Sequence, residues 1–197
     1  MDQAVIIGAI RRAARLQRRA LSVWYPQTGP NAPAERNYTV HLGICLQRVP
    51  GTQIFAEATI GTKAGSLIDL AAYHHHSETL VAVEAKRFLQ GGNARRHVDD
   101  EKKVRRFWLV KKYRGAPPPP VARKFCVLLT STQDGYEGWW QRPDRLDDSP
   151  TRSTAWREAA RMLSRIQARG GELGAEPLTS HPSARRSLLW AVWPEPV

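Results

Sequence analysis

Apolar and polar residues recur with two different periods along the chain, and the periods predict a mixture of helices and strands. Over residues 3–24, apolar positions return every three or four residues, which predicts an amphipathic helix with arginines on its outer side. Residues 38–46 alternate, so we predict a strand there, although this run also fits a helix. Alternation at 54–60 predicts another strand, and the continuous apolar run 125–130 predicts a strand covered on both faces.

Two further apolar runs, 66–73 and 79–89, predict neighbouring strands. The segment 74–78 between them has the length of a turn, so we expect the strands to form a hairpin. The remaining elements are two helices and a last strand, at residues 97–113, 151–168 and 187–193. Residues 133–148 show no clear period and are predicted to be an irregular loop.

This order of elements implies one domain of the α/β class, with a mixed central sheet flanked by helices. We place that domain over residues 1–197, since a chain of this length can bury one core. The core is expected at about residues 38–131, followed by the C-terminal helix and strand within 151–193. No run reaches the roughly 18 apolar residues of a membrane span, and no signal peptide is evident, so we expect a cytoplasmic protein.

The composition is strongly basic, with 30 Lys and Arg against 18 Asp and Glu and a formal net charge of +12. Such a balance favours a polyanionic partner, most often nucleic acid. A general preference for arginine would give the same charge without that function. Cys45 and Cys126 lie in apolar runs and lack the spacing of a zinc site, which favours buried thiols in a reducing compartment.

Three charged residues interrupt the two apolar runs of the predicted hairpin. Glu84 and Lys86 lie two residues apart and therefore share one face of their strand, and Asp69 lies alone in the other run. A hairpin centred on His76 and Ser77 places Asp69 opposite Glu84, with Cβ atoms about 4.5–5.5 Å apart. Two such carboxylates suit Mg²⁺ or Mn²⁺, while Lys86 would act on a water or a phosphate. A shift of one residue in the register would move Asp69 to the other face.

Asp69, the hairpin, Glu84-x-Lys86 on an apolar strand and the basic helix that follows resemble the PD-(D/E)XK nuclease superfamily, over about residues 54–131. The resemblance implies a restriction-endonuclease-like fold and a Mg²⁺-dependent (or Mn²⁺-dependent) nuclease. It would hydrolyse phosphodiester bonds, in DNA rather than RNA. Asp69 and Glu84 would be metal ligands, and Lys86 would be the catalytic lysine.

The chain departs from the family pattern at two places. Ile68 precedes Asp69 where a proline is usual. Many members carry a glutamate on the first helix, but residues 3–24 contain no acid. Glu57 is a substitute metal ligand if its strand neighbours that of Asp69.

In the nuclease interpretation the basic helix at 97–113 faces a nucleic-acid backbone. The residues expected to contact phosphates are Arg95, Arg96, Lys102, Lys103, Arg106 and Lys111. An ordinary solvated helix face is the alternative. The acids at 99–101 are explained as partners of the helix dipole, since they lie near the predicted start of the helix.

Two other motifs have competing explanations. His74, His76 and His97 could bind a transition metal, or the first two could simply be solvated in a turn. Trp139 and Trp140 could stack on unpaired bases, or cover an edge of the core.

Other functions also fit the charged residues of the hairpin. The three could form a structural salt bridge or lie on an exposed edge strand. The same fold could serve as an inactive nucleic-acid-binding or assembly module, which the missing acid of the first helix favours. A weaker alternative is a toxin or effector that damages nucleic acid. The sequence leaves a homodimer open.

Overall fold

The computed structural model describes residues 1–24, 35–59, 67–87, 94–108, 118–132, 135–144, 153–179 and 186–197. The helices in these ranges are α1 (Gln3–Trp24), α2 (Glu35–Gln47), α3 (Ala94–Arg106), α4 (Glu137–Gln141) and α5 (Thr154–Ala168). The strands are β1 (Thr52–Thr59), β2 (Leu67–His74), β3 (Thr79–Arg87), β4 (Arg123–Thr132), β5 (Glu172–Pro177) and β6 (Ser187–Glu195). No helix in the described part of the chain is long and apolar enough to cross a membrane.

The strands form one six-stranded sheet in the order β1-β2-β3-β4-β6-β5. β3 and β4 run parallel and are connected through α3, whereas the other neighbouring strands are antiparallel. Helices pack on the sheet, so the predicted α/β class with a mixed sheet flanked by helices is confirmed.

The two faces of the sheet carry different helices. On β3, Val81 and Val83 pack into the core that contains residues of α1 and α2. Leu80 and Ala82 pack into the other core, which contains residues of α3 and α5. Because successive side chains of a strand alternate between faces, Glu84 belongs to the α3 side.

The predicted strand at 38–46 is wrong, because these residues belong to helix α2. Tyr38, Leu42 and Leu46 are buried at helical spacing, whereas Val40 and Ile44 are 56% and 44% exposed. The even-numbered positions satisfied both periods, and the buried subset follows the helical one.

Two elements of the structure, α4 and β5, were not predicted from the apolar pattern of the sequence. α4 lies inside the predicted loop, and β5 forms from the sequence ELGAEP, whose glycine, proline and acids give no strand signal. α3 begins three residues before the predicted start at His97. Residues 109–113 of that prediction lie outside the described ranges.

Candidate active site

The register of β2 and β3 positions the first two predicted site residues. Leu70 pairs with Val83 and Ala71 with Ala82, which is the predicted register. The ladder of paired residues ends at Leu70 and Val83, so Asp69 and Glu84 are the next residues of the two strands beyond its last pair. Asp69 Oδ2 also accepts a 2.7 Å hydrogen bond from the backbone N–H of Ala85. The carboxylate of Asp69 therefore reaches across to β3 directly beside Glu84.

Glu84 is a buried carboxylate held between two ammonium groups. Its side chain is fully buried, and Oε1 accepts hydrogen bonds from Lys86 Nζ at 2.9 Å and from Lys103 Nζ at 2.6 Å. Each lysine side chain is 28% exposed, so both lysines keep part of their surface in solvent. Glu84 Oε2 is buried without a hydrogen-bond partner. One oxygen of this carboxylate is thus neutralised, and the other is left to bind a further donor or cation.

Helix α3 adds a second buried acid, Asp100, to the same cluster. Asp100 lies three residues before Lys103 and so shares its side of the helix. Asp100 is buried and its Oδ2 has no hydrogen-bond partner. Burial raises the pKa of Asp100 to about 7, against the charges of Lys86 and Lys103, while Glu84 and Asp69 raise it further.

Asp100 is a buried acid of the cluster that was not predicted from the sequence, and the prediction that it lies at the start of the helix as a partner of the helix dipole is wrong. α3 begins at Ala94, its first turn holds no acid, and Asp100 is buried one turn further along. The sequence did contain a signal. Asp100 lies four and seven residues before Val104 and Phe107, both buried, and therefore on the apolar face of the helix.

Lys86 remains a cation in this environment. Burial lowers the pKa of Lys86, but the hydrogen bond to Glu84 and the charges of Asp100, Glu84 and Asp69 together outweigh burial and raise it above its ordinary value. Lys86 therefore suits the stabilisation of negative charge rather than the removal of a proton. His97, one turn before Asp100, is buried, and burial together with the charge of Lys86 lowers its pKa to about 3.

The residues predicted to contact phosphates divide between the two sides of α3. Arg95, Arg96, Lys102 and Arg106 are exposed, and Lys102 lies 3.6 Å from Asp99. Lys103 instead directs its ammonium group to Glu84. Lys111 lies outside the described residues.

Glu57 lies on the strand next to Asp69, as its predicted role requires, but its carboxylate is used elsewhere. The pairs of Ala56 with Leu70 and Ala58 with Ile68 place Glu57 across from Asp69. Glu57 has a left-handed φ of 49°, and its carboxylate lies 2.8 Å from Arg36 of α2, with 56% of its side chain exposed. The structure brings Asp69, Glu84 and Lys86 together and pairs Glu57 with α2.

The histidines of the predicted metal site lie apart, and the two tryptophans lie in the core. His74 pairs with Thr79 at the hairpin end of β3 and bonds Ser77 Oγ at 2.6 Å, far along the strand from Lys86 and His97. The three histidines therefore do not converge. Trp139 and Trp140 are buried and belong to the core under α3 and α5, so they cover the core rather than present rings to a nucleic acid.

The carboxylate oxygens of the cluster are the kind of ligand that a hard divalent cation prefers. In the described ranges, no three His, Cys, Asp or Glu side chains form a group that could hold a metal ion by themselves. Mg²⁺ does not need such a group, because it is usually held by one or two carboxylates together with water and substrate phosphate. The Asp69 carboxylate bonds the backbone next to Glu84, both acids act on Lys86 and Asp100, and Glu84 Oε2 is a buried acceptor without a donor.

Comparison with protein-family models, with curated proteins and with solved structures gives no match for this chain. What the site does is therefore inferred from its own chemistry.

Proposed function

We propose that this protein is a Mg²⁺-dependent nuclease with a restriction-endonuclease-like fold that hydrolyses phosphodiester bonds in the cytoplasm. Mn²⁺ would substitute for Mg²⁺, and DNA is favoured over RNA. The observation that supports this most is the meeting of Asp69, Glu84 and Lys86 with Asp100 between β2, β3 and α3. A carboxyl whose pKa is strongly shifted by burial and by named charged neighbours is a candidate for a functional site.

In this proposal Asp69 and Glu84 hold the cation. When bound, the ion would polarise a phosphate and neutralise part of its charge. The buried Glu84 Oε2 is the oxygen suited to it, since Oε1 already accepts from Lys86 and Lys103.

Lys86 and Asp100 divide the remaining work in the proposal. Lys86 would stabilise the negative charge that builds on the phosphate during attack by water, because its pKa is raised and it stays protonated. Asp100 would accept the proton of the attacking water, because its Oδ2 is a buried acceptor without a hydrogen-bond partner in the same cluster.

The outer side of α3 would hold the nucleic-acid backbone. The exposed Arg95, Arg96, Lys102 and Arg106 are placed on the same helix as Asp100. Contacts from such residues to phosphates carry affinity without reading the base sequence.

A binding module that has no activity is the second candidate, and the ion pairs of Glu84 favour it. The two ammonium groups at 2.9 and 2.6 Å neutralise this carboxylate, and its side chain is fully buried. In that case the cluster would fix α3 against β3, and the basic surface would bind nucleic acid without cutting it.

Cleavage of plasmid and of single-stranded DNA, with Mg²⁺ or Mn²⁺, separates the two candidates. We expect the wild type to cut and Glu84→Gln and Lys86→Met each to lose roughly 100-fold or more in rate. Arg123→Gln is the control, since Arg123 is exposed and pairs with Thr79 at the start of β3, five residues along the strand from Glu84. Equal cutting by wild type and Glu84→Gln, or no cutting by the wild type with either metal, would remove the nuclease proposal. DNA binding without cutting would support the module.

A further inference from the structure

Helix α1 carries an uninterrupted basic surface. The arginine face of α1 consists of five exposed residues, Arg11, Arg12, Arg15, Arg18 and Arg19. At 3.6 residues per turn they fall within an arc of about 120° and extend over about 12 Å of helix. The helix contains no acidic residue to offset them. The result is a dense row of guanidinium groups on one side of a single element.

The opposite side of α1 is firmly anchored. Ile6, Ile10, Ala13 and Leu21 are buried and belong to the core shared with α2 and the sheet. The backbone that carries the arginines is therefore fixed by packing, and the apolar side of the helix is already covered. A helix that inserts into a lipid surface needs its apolar side free, so this arrangement does not favour a membrane partner.

The arginine face is largely uncompensated by acids. Within the described residues, Arg11 is the member of the set that forms an ion pair, with Glu176 of β5 at 3.3 Å. Burial raises the pKa of Cys45, and the charges of Arg12, Arg48 and Arg15 oppose that rise. These three arginines therefore lie near the Cys45 thiol. Arg48, just past the end of α2, extends the arginine face of α1.

This surface lies on the other side of the sheet from the candidate active site. α1 packs with the face of β3 that carries Val81 and Val83, whereas Glu84 and Asp100 lie on the α3 side. Phosphate groups bound at α1 would therefore not be the ones at Glu84.

We propose that the arginine face of α1 is a separate nucleic-acid-binding surface, which contacts phosphates of the backbone without reading base sequence. Guanidinium groups match phosphate geometry and are weakly hydrated, which favours a phosphate backbone as the occupant. The surface does not depend on the nuclease proposal, because it uses none of the residues of the candidate active site.

The test is the salt dependence of binding to a labelled DNA duplex, followed by fluorescence anisotropy with chelator present so that no cutting occurs. Each phosphate contact contributes about 0.9 to the slope of log affinity against log salt. The variant Arg12→Gln/Arg15→Gln/Arg19→Gln is expected to lower the magnitude of that slope by about 2.7. Because the chelator prevents cutting, the slope reports binding whether or not the protein is a nuclease, which separates this result from failure of the nuclease proposal.

The matched control removes the same charge from the other side of the sheet. Arg157, Arg161 and Arg165 are exposed along α5 at helical spacing, and their triple change to Gln should leave the slope unchanged. An unchanged slope in the α1 variant, or an equal loss in the control, would overturn the proposal. Binding of the wild type to phosphatidylserine vesicles that is lost in the α1 variant, with DNA binding intact, would overturn it in favour of a lipid partner. If the triple variant fails to fold, Arg12→Gln and Arg15→Gln, each expected to lower the slope by about 0.9, decide the matter.

Discussion

Asp100→Asn should stabilise the protein, and more at high pH than at low pH. Asp100 is buried beside Glu84 and Asp69, and its pKa rises from an ordinary 3.8 to about 7. A carboxyl with a higher pKa in the folded protein than in the unfolded chain binds its proton more tightly when folded. The stability it contributes is complete below pH 3.8 and is lost as pH rises through about 7.

The size of the effect follows from the shift. At 1.36 kcal/mol per pKa unit, the full loss in free energy of unfolding is about 4 kcal/mol. Between pH 5 and pH 8 the part lost is about 2–3 kcal/mol. His97 acts in the opposite direction, because its lowered pKa makes stability fall as pH drops below 6.5 towards about 3. The pH dependence of unfolding must therefore be compared between the wild type and Asp100→Asn, because both contain His97 and its contribution cancels.

Urea denaturation of metal-free protein at pH 5 and pH 8 measures this effect. The gain in free energy of unfolding from Asp100→Asn should be larger at pH 8 by about 2–3 kcal/mol. Asp99→Asn is the matched control, since the Asp99 side chain is 67% exposed and its carboxylate lies 3.6 Å from Lys102 Nζ. It should change stability little at either pH. A gain from Asp100→Asn that is the same at both pH values would refute the reasoning that this carboxyl is buried and destabilised.

Three further substitutions test the packing and the ion pairs. Glu84→Gln should lower the free energy of unfolding, measured in urea at pH 7, by about 3 kcal/mol, because Lys86 and Lys103 then face each other without a negative partner. Adding Lys103→Met to this variant should recover part of the loss. Gln17→Met should raise the melting temperature by about 2–4 °C, because both polar atoms of the buried Gln17 amide lack partners; an unchanged or lower value would contradict this. Gly174→Ala should lower the free energy of unfolding by about 1–3 kcal/mol, because the added Cβ would lie 2.1 Å from the Trp190 ring. Gly138→Ala is the control, since nothing lies within 4 Å of the added Cβ, and it should be tolerated. Equal effects of the two changes would contradict the packing of Gly174 on Trp190.

The hairpin of β2 and β3 was predictable because two independent constraints agreed. Two continuous apolar runs indicated strands, and the short connection between them left few registers, of which the observed one pairs Leu70 with Val83. The same logic failed for 38–46, since alternate apolar positions there also satisfied a helix, and only the contacts with α1 and the sheet decide between the two.

Asp100 and Lys103 could not be placed because they depend on where α3 begins. A start at His97 puts Asp100 in the first turn, while the observed start at Ala94 moves it into the second turn, on the buried side. The contact between Lys103 and Glu84 joins residues that are 19 positions apart, and periodicity within one element gives no information on such a pair.

Binding of Mn²⁺ tests most directly whether these carboxylates hold a divalent cation. Free Mn²⁺ gives a sharp electron paramagnetic resonance signal that is lost on binding, so a titration reports the bound ion without any substrate. We expect the wild type to bind Mn²⁺, Mg²⁺ to displace it, and Asp69→Asn and Glu84→Gln each to abolish binding while Asp99→Asn retains it. Equal binding by the wild type and Glu84→Gln, or none by the wild type, would contradict a metal site at Asp69 and Glu84.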